Sequence, residues 1–295
     1  MLPVLELPVP KQVEKVFRRV LAAVGEPWRL AKTGRPPKRR PREYALALFV
    51  RSFWGWTFRE AECVLRVPKS CLHWAAKRLK TAWVLALVER TAENLRKAFK
   101  VKCVILDSTG VSVRSAGYKR RAKRRQFWKL HGITEYAPWA HRTWFASVRA
   151  TTGRVHDVKI GRKLLEKAPP NDLYADKAYD DKKFYKLAFK QGFKPCMQQR
   201  KNTASRTGIR GKVWRSYNDR KRKKYRGRVE APFGGFANRY ASRINEKLTS
   251  TRRRACTFWA AAHNTRTLAK NVFNYLWDRL VSSWRNPVFS PRKFF

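Results

Sequence analysis

Acidic residues are scarce in this chain: 20 Asp and Glu stand against 69 Lys and Arg, a formal net charge of +49. That excess goes far beyond what solubility needs, so a polyanionic partner is expected. Long apolar runs are absent as well. The longest, 45–50 and 82–88, are too short to span a bilayer, which argues against a membrane protein. The first residues lack a basic region followed by a long apolar core, so no signal peptide is expected. Cysteines number only five, at Cys63, Cys71, Cys103, Cys196 and Cys256, and none forms a Cys-x-x-Cys pair. A zinc ribbon and a disulfide framework are both disfavoured, and the thiols read as small buried hydrophobes in a reducing cytoplasm. Hydrophobic content is 43%, which excludes a disordered basic tail. At 295 residues the chain can bury a sizeable core, and a large domain with a smaller one is the natural partition.

The charge is spread through the chain. Residues 114–129 hold eight basic residues and no acid, with Tyr118, Phe127 and Trp128 among them. Residues 200–230 hold thirteen basic residues and two acids, with Trp214, Tyr217 and Tyr225 interleaved. Aromatics among cations suit base stacking beside phosphate contacts. The alternative is a solvated face whose aromatics turn into the core. Each phosphate neutralised releases counterions, so nucleic-acid affinity should fall steeply with salt.

Residues 11–24 predict a helix, with Val13, Val16, Phe17, Val20, Leu21 and Val24 on one face, ended by Gly25 and Pro27. A Pro-rich basic stretch over 34–41 reads as an extended linker. Its Arg35 and Arg39 are candidates to lie along a DNA groove or backbone; a solubilising spacer is the other reading. Helices are expected over 42–54, 57–66, 70–80 and 82–99. Thr57 and Glu60 have the spacing of a capping box, and Ser70 is a candidate N-cap. The two short helices with a tight turn read as a helix-turn-helix, whose second helix would present Lys69, Ser70, His73 and Lys77 to DNA. An ordinary helical bundle competes with that reading.

From residue 101 the pattern changes. Strands are expected over 101–106 and 111–113, with a turn at Ser108-Thr109-Gly110, and then over 144–150, 173–175 and 194–198. A helix is expected over 181–191, and helical sequence follows to the C-terminus. This order predicts an α/β fold, a mixed sheet flanked by helices. Asp107 closes the apolar run 104–106 and Asp176 closes the run 173–175; Glu230 ends the most basic stretch. Two strand-tip aspartates and a helical Glu are candidates to converge on a divalent metal. Like charges about 4 Å apart repel by roughly 4 kcal/mol at an effective dielectric near 20, so such a cluster needs a cation. Hard oxygen donors select Mg²⁺ or Mn²⁺. Asp157 and Asp180 are rival carboxylates. His131 is a candidate to face the site and His156 to orient a phosphate, although His156 reads first as a structural histidine.

Asp107-Ser108-Thr109, Val155-His156-Asp157, Ala175-Asp176-Lys177-Ala178-Tyr179-Asp180, Arg200-Lys201-Asn202, and Arg226 with Glu230 occur in that order. With these motifs the chain resembles the DDE transposases of bacterial and archaeal insertion sequences, over about residues 101–270. The three acids lie 69 and 54 residues apart, as in that family. The resemblance implies an RNase H-like sheet preceded by a helical, helix-turn-helix-type domain. It divides the chain into an N-terminal helical segment (1–33), linker and DNA-binding helices (34–100), a catalytic domain (101–280) and a tail (281–295). It implies that Asp107, Asp176 and Glu230 bind a pair of Mg²⁺ or Mn²⁺ ions, which cut and join DNA by in-line displacement. Arg226 would hold a phosphate, and Arg200 and Lys201 would contact the DNA backbone. The family's Tyr and Lys on the Glu helix fall here on Lys223 and Ala237, with Tyr225 and Arg239 nearby. The implied partners are double-stranded DNA, both terminal inverted repeats and target, and a second copy of the chain on that DNA. The implied location is the cytoplasm, at the nucleoid. A non-catalytic DNA-binding relic and an RNase H-like nuclease without strand transfer are the competing functions.

Overall fold

Helical periodicity over the first hundred residues becomes five helices in the computed structural model. The described residues are 7–30, 37–112, 127–236, 238, 246 and 248–285, with 271–285 as backbone helix only. Arg35, Tyr118, Val113, Ala237 and Arg239 lie outside them, as does the end of the tail. Helix α1 (Lys11–Val24) buries the expected stripe of Val13, Val16, Phe17, Val20 and Leu21. Helix α2 (Pro41–Trp54) is different: Pro41 and every residue from Tyr44 to Phe53 are buried. A helix buried on nearly every side, with its Arg51 paired to buried Glu246 at 2.8 Å, belongs at the centre of a bundle. Helix α3 (Phe58–Leu65) starts with the predicted capping box: Thr57 Oγ1 accepts the Glu60 N–H, and Glu60 accepts the Thr57 N–H.

Helix α4 (Lys69–Arg78) corrects one expectation. Its N-cap is Pro68, so Ser70 does not cap it. The Lys69 N–H instead donates to Glu62 Oε1 at 2.9 Å, which closes the α3–α4 turn. Arg66 takes the left-handed conformation there, φ 50°, where a glycine would be less strained. Helix α5 (Thr81–Ala98) leads into the sheet.

Strand β1 (Cys103–Ser112) runs straight through Ser108-Thr109-Gly110, so the predicted turn is absent. Those residues are held by β2 (Phe127–Ala137), antiparallel, in the register Ser108↔His131, Thr109↔Leu130 and Gly110↔Lys129. β2 was not predicted: residues 130–136 are all buried, His131, Thr134 and Glu135 included, so the strand shows no alternation of apolar and polar residues. β3 (Arg142–Thr152) pairs antiparallel with β2 and carries a bulge, so Ala146 is left over between Ser147 and Phe145. Helix α6 (Asp157–Leu165), also unpredicted, leads to β4 (Asp172–Ala175), parallel to β1. Helix α7 (Lys182–Lys190) then leads to β5 (Lys194–Cys196). The sheet order is β3-β2-β1-β4-β5. Helices α8 (Gly208–Ser216), α9 (Asp219–Arg226), α10 (Glu230–Phe236) and the long α11 (Thr249–Arg285) follow.

Alternate residues of β1 enter different cores. Val104 and Leu106 pack with α6 and α7 residues such as Ile160, Leu164 and Phe184. Cys103, Ile105 and Val111 pack on the other face, in one continuous core that also takes in Phe17, Phe49, Leu72, Phe236 and Trp259. The N-terminal helices and the sheet therefore share a core. Two buried polar ties fasten this layer. Glu135 is fully buried and accepts from Arg96 Nε at 2.8 and 3.0 Å and from Trp144 Nε1 at 2.8 Å. Asn264 of α11 accepts the Phe145 N–H and donates to the Phe145 carbonyl, replacing a strand beside edge strand β3 at its bulge. Among the described residues, no helix is long and apolar enough to cross a membrane.

Candidate metal and nucleic-acid site

β1 and β4 are parallel neighbours, paired as far as Leu106 and Ala175. The next residue on each is an aspartate: Asp107 stays in β1, paired with Gly132 of β2, and Asp176 beside it opens the turn after β4. Asp176 stands at the strand tip the sequence reading gave it, but Asp107 lies in mid-strand, because pairing with β2 carries β1 on to Ser112. Each carboxylate is steadied by the next backbone amide: the Ser108 N–H donates to Asp107 Oδ1 at 2.8 Å, and the Lys177 N–H to Asp176 Oδ1 at 2.7 Å. Burial raises the Asp107 carboxyl above its ordinary range. The Ser108 N–H and Arg226 oppose that rise, and the charges of Asp176 and Asp157 add to it.

Arg226 comes from α9. That helix is capped by Asn218, whose Oδ1 accepts the Lys221 N–H, and is laid on the sheet by Tyr225, stacked near Tyr174 and Tyr136. Tyr225 is thus a packing residue. Arg226 Nη2 stands 3.6 Å from Asp176 Oδ2 and supplies positive charge between the two acids. A 3-10 turn (Gly227–Val229) joins α9 to α10, whose first residue is Glu230 and whose first turn accommodates Pro232. Phe233 of α10 sits over Gly132, the residue paired with Asp107. A Cβ at Gly132 would stand 2.8 Å from Phe145 and 3.0 Å from Phe233, so only glycine lets α10 approach here. Glu230 itself is exposed. Among the described residues no three His, Cys, Asp or Glu side chains stand together closely enough to hold one ion. Asp107, Asp176 and Glu230 are thus placed on neighbouring elements without forming a closed ligand set.

The two rival carboxylates separate cleanly. Asp180 is a structural hub: it accepts the Arg200 N–H at 2.8 Å, the Thr203 hydroxyl at 2.7 Å and the Tyr185 hydroxyl at 3.0 Å, and faces Arg210 at 3.0 Å. Burial pushes its carboxyl up, but these donors together outweigh burial and lower it. Asp157, first residue of α6, pairs with Lys129 Nζ at 2.9 Å. Buried His131 lies 3.5 Å from it through Nδ1, while its Nε2 meets Thr151 Oγ1 at 2.8 Å. Burial lowers the His131 pKa to about 4, with Asp157 opposing and Lys129 assisting. A groove of about 390 Å³ opens here, lined by Lys129, Arg154, His156, Asp157, Asp180 and Arg200. Lys129 had no role in the sequence reading.

The other candidates fall in three places. Lys69, Ser70, His73 and Lys77 are exposed along α4. Arg39 is mostly buried, 3.9 Å from Glu43. Arg200 turns its guanidinium back onto the Lys177 and Ala178 carbonyls, bracing the turn after Asp176, and Lys201 is exposed beside it. Lys223 pairs with Asp219 at 2.8 Å. Of the interleaved aromatics, Trp214 is exposed and Trp128 is buried.

A mixed sheet with an acid within its first strand, another just after the parallel fourth, and helices on both faces defines an RNase H-like domain. Residues 99–265 match the family model described as the transposase DDE domain, more than half of the chain, and the chain belongs to that family. No curated protein matches it.

Proposed function

We propose that this protein is a DNA transposase that cuts insertion-sequence ends and joins them to target DNA. The observation that carries this reading is the pair Asp107 and Asp176, side by side on adjacent parallel strands with Arg226 between them, in a chain of charge +49. Their hard oxygen donors fit Mg²⁺ or Mn²⁺, and the raised carboxyl of Asp107 is what a cation would relieve. Glu230, exposed at the head of α10, would supply the third oxygen donor. When bound, a pair of such ions supplies activation of the attacking oxygen and stabilisation of the leaving one.

The chain's own residues do the rest. Arg226 screens Asp176 and would take a phosphate as a bidentate partner. Lys129 and Arg154 line the neighbouring groove, where a DNA backbone passes beside Asp157. Lys69, Ser70, His73 and Lys77 present one exposed helical face for recognition of the terminal repeats. Two copies act together on paired DNA ends, at the nucleoid.

The test is a cleavage and joining assay on DNA carrying the element's own ends, with Mg²⁺ or Mn²⁺. Asp107→Ala, Asp176→Ala and Glu230→Ala should each abolish products while DNA binding persists. Retained cleavage in one variant removes that residue from the site. Cutting without joining would make the protein a nuclease, and binding with no product from wild type would make it a relic.

A further inference from the structure

Tyr179 lies where the three aspartate-bearing segments meet. It belongs to the 3-10 turn that Asp176 caps. Its ring abuts Gly161 of α6, four residues after Asp157, and shares that spot with Leu106, the residue before Asp107. A Cβ on Gly161 would stand 2.8 Å from Leu106 and 2.9 Å from the Tyr179 ring, so the helix carries no side chain there. The ring is 1% exposed and packs near Phe184.

The hydroxyl is the anomaly. It is buried with no hydrogen-bond partner among the described residues. A phenylalanine would fill the same space without that penalty, because an unmade buried hydrogen bond carries the full desolvation cost of the group. The charges acting on the hydroxyl are the carboxylates of Asp107, Asp157 and Asp176; the Ser108 side chain approaches it as a hydrogen-bonding neighbour, short of full bonding geometry. Burial and these negative charges hold the phenol firmly protonated.

We propose that Tyr179 is a positioning residue of the carboxylate site: its ring sets the spacing of the three acid-bearing segments, and its hydroxyl finds its hydrogen bond among the carboxylates and hydrating water of the cation-loaded site. This rests on the reading of Asp107 and Asp176 as metal ligands. Mg²⁺ and Mn²⁺ sites keep several waters, and groups that bond to the ligands or to those waters orient the site without touching the ion. Among the described residues the hydroxyl closes no bond; the loaded site would supply one.

The test uses the full chain without DNA. Mn²⁺ affinity is measured by the paramagnetic resonance of the free ion, and thermal unfolding is measured in chelator, for wild type, Tyr179→Phe and Asp107→Asn. Tyr179→Phe should bind Mn²⁺ about ten- to a hundredfold more weakly, while its metal-free melting temperature stays equal or rises. Metal affinity then falls with no loss of metal-free stability, which a packing role does not produce. Wild-type affinity in Tyr179→Phe overturns the proposal, and so does weakened binding accompanied by a lowered melting temperature. If wild type binds no Mn²⁺, or Asp107→Asn binds it like wild type, the carboxylate reading fails and the role of Tyr179 fails with it.

Discussion

His131 shows how one residue ties the site to the stability of the fold. Its imidazole is fully buried, and burial holds its pKa near 4, against an ordinary 6.5. The folded state therefore binds this proton less readily than the unfolded chain. Its contribution is complete above pH 6.5 and is lost as the pH falls from there through about 4. The full effect is about 3 kcal/mol at 1.36 kcal/mol per unit. Urea denaturation at pH 4.5 and 7.5 should show this loss in wild type and a reduced one in His131→Gln. An identical pH dependence in both would assign the acid sensitivity elsewhere. The same scale shows what the sequence could disclose. Asp107 and Asp176 were legible because each ends an apolar run. Asp157 was only a rival, since its Lys129 partner lies on a strand that no local pattern marked. The orphan hydroxyl of Tyr179 has no sequence signature at all: burial without a partner is a property of three segments packed together.

Elements were legible in proportion to how local their causes are. The capping box of α3 and the apolar stripe of α1 are written within a few residues, and both formed as expected. The turn predicted at Ser108-Thr109-Gly110 did not, because pairing with β2 overrides local turn chemistry. Long-range ties explain what local rules missed, and they are testable. Arg96→Ala leaves the Glu135 carboxylate buried without its cation, and should destabilise the protein by about 3 kcal/mol. Asn264→Ala strips both backbone groups of Phe145 of their partner and should cost about 2–4 kcal/mol. Chemical denaturation measures each; a loss below about 0.5 kcal/mol in either would show that the tie is replaced by solvent.

For the whole molecule, charge and recognition separate. Replacing Lys69, Ser70, His73 and Lys77 together with alanine should abolish preference for the element's ends, while a strongly salt-dependent affinity for any DNA persists. Competition binding at two salt concentrations distinguishes the two terms, and retained end preference would place recognition outside α4. The overall class was legible from composition and motif order. The way the parts join was not: a chain with a Pro-rich linker reads as modular, yet Phe17, Phe49 and Leu72 lie in one core with Phe236 and Trp259.

That shared core constrains how such a protein diversifies. N-terminal helices buried against the sheet cannot be exchanged as a cassette between relatives, because every graft would open a hydrophobic seam. On the proposed reading of α4, new end preferences would arise by point changes on its outward face, leaving the buried Leu72 and Ala75 untouched. Insertion elements carrying this architecture would drift in specificity residue by residue rather than by shuffling.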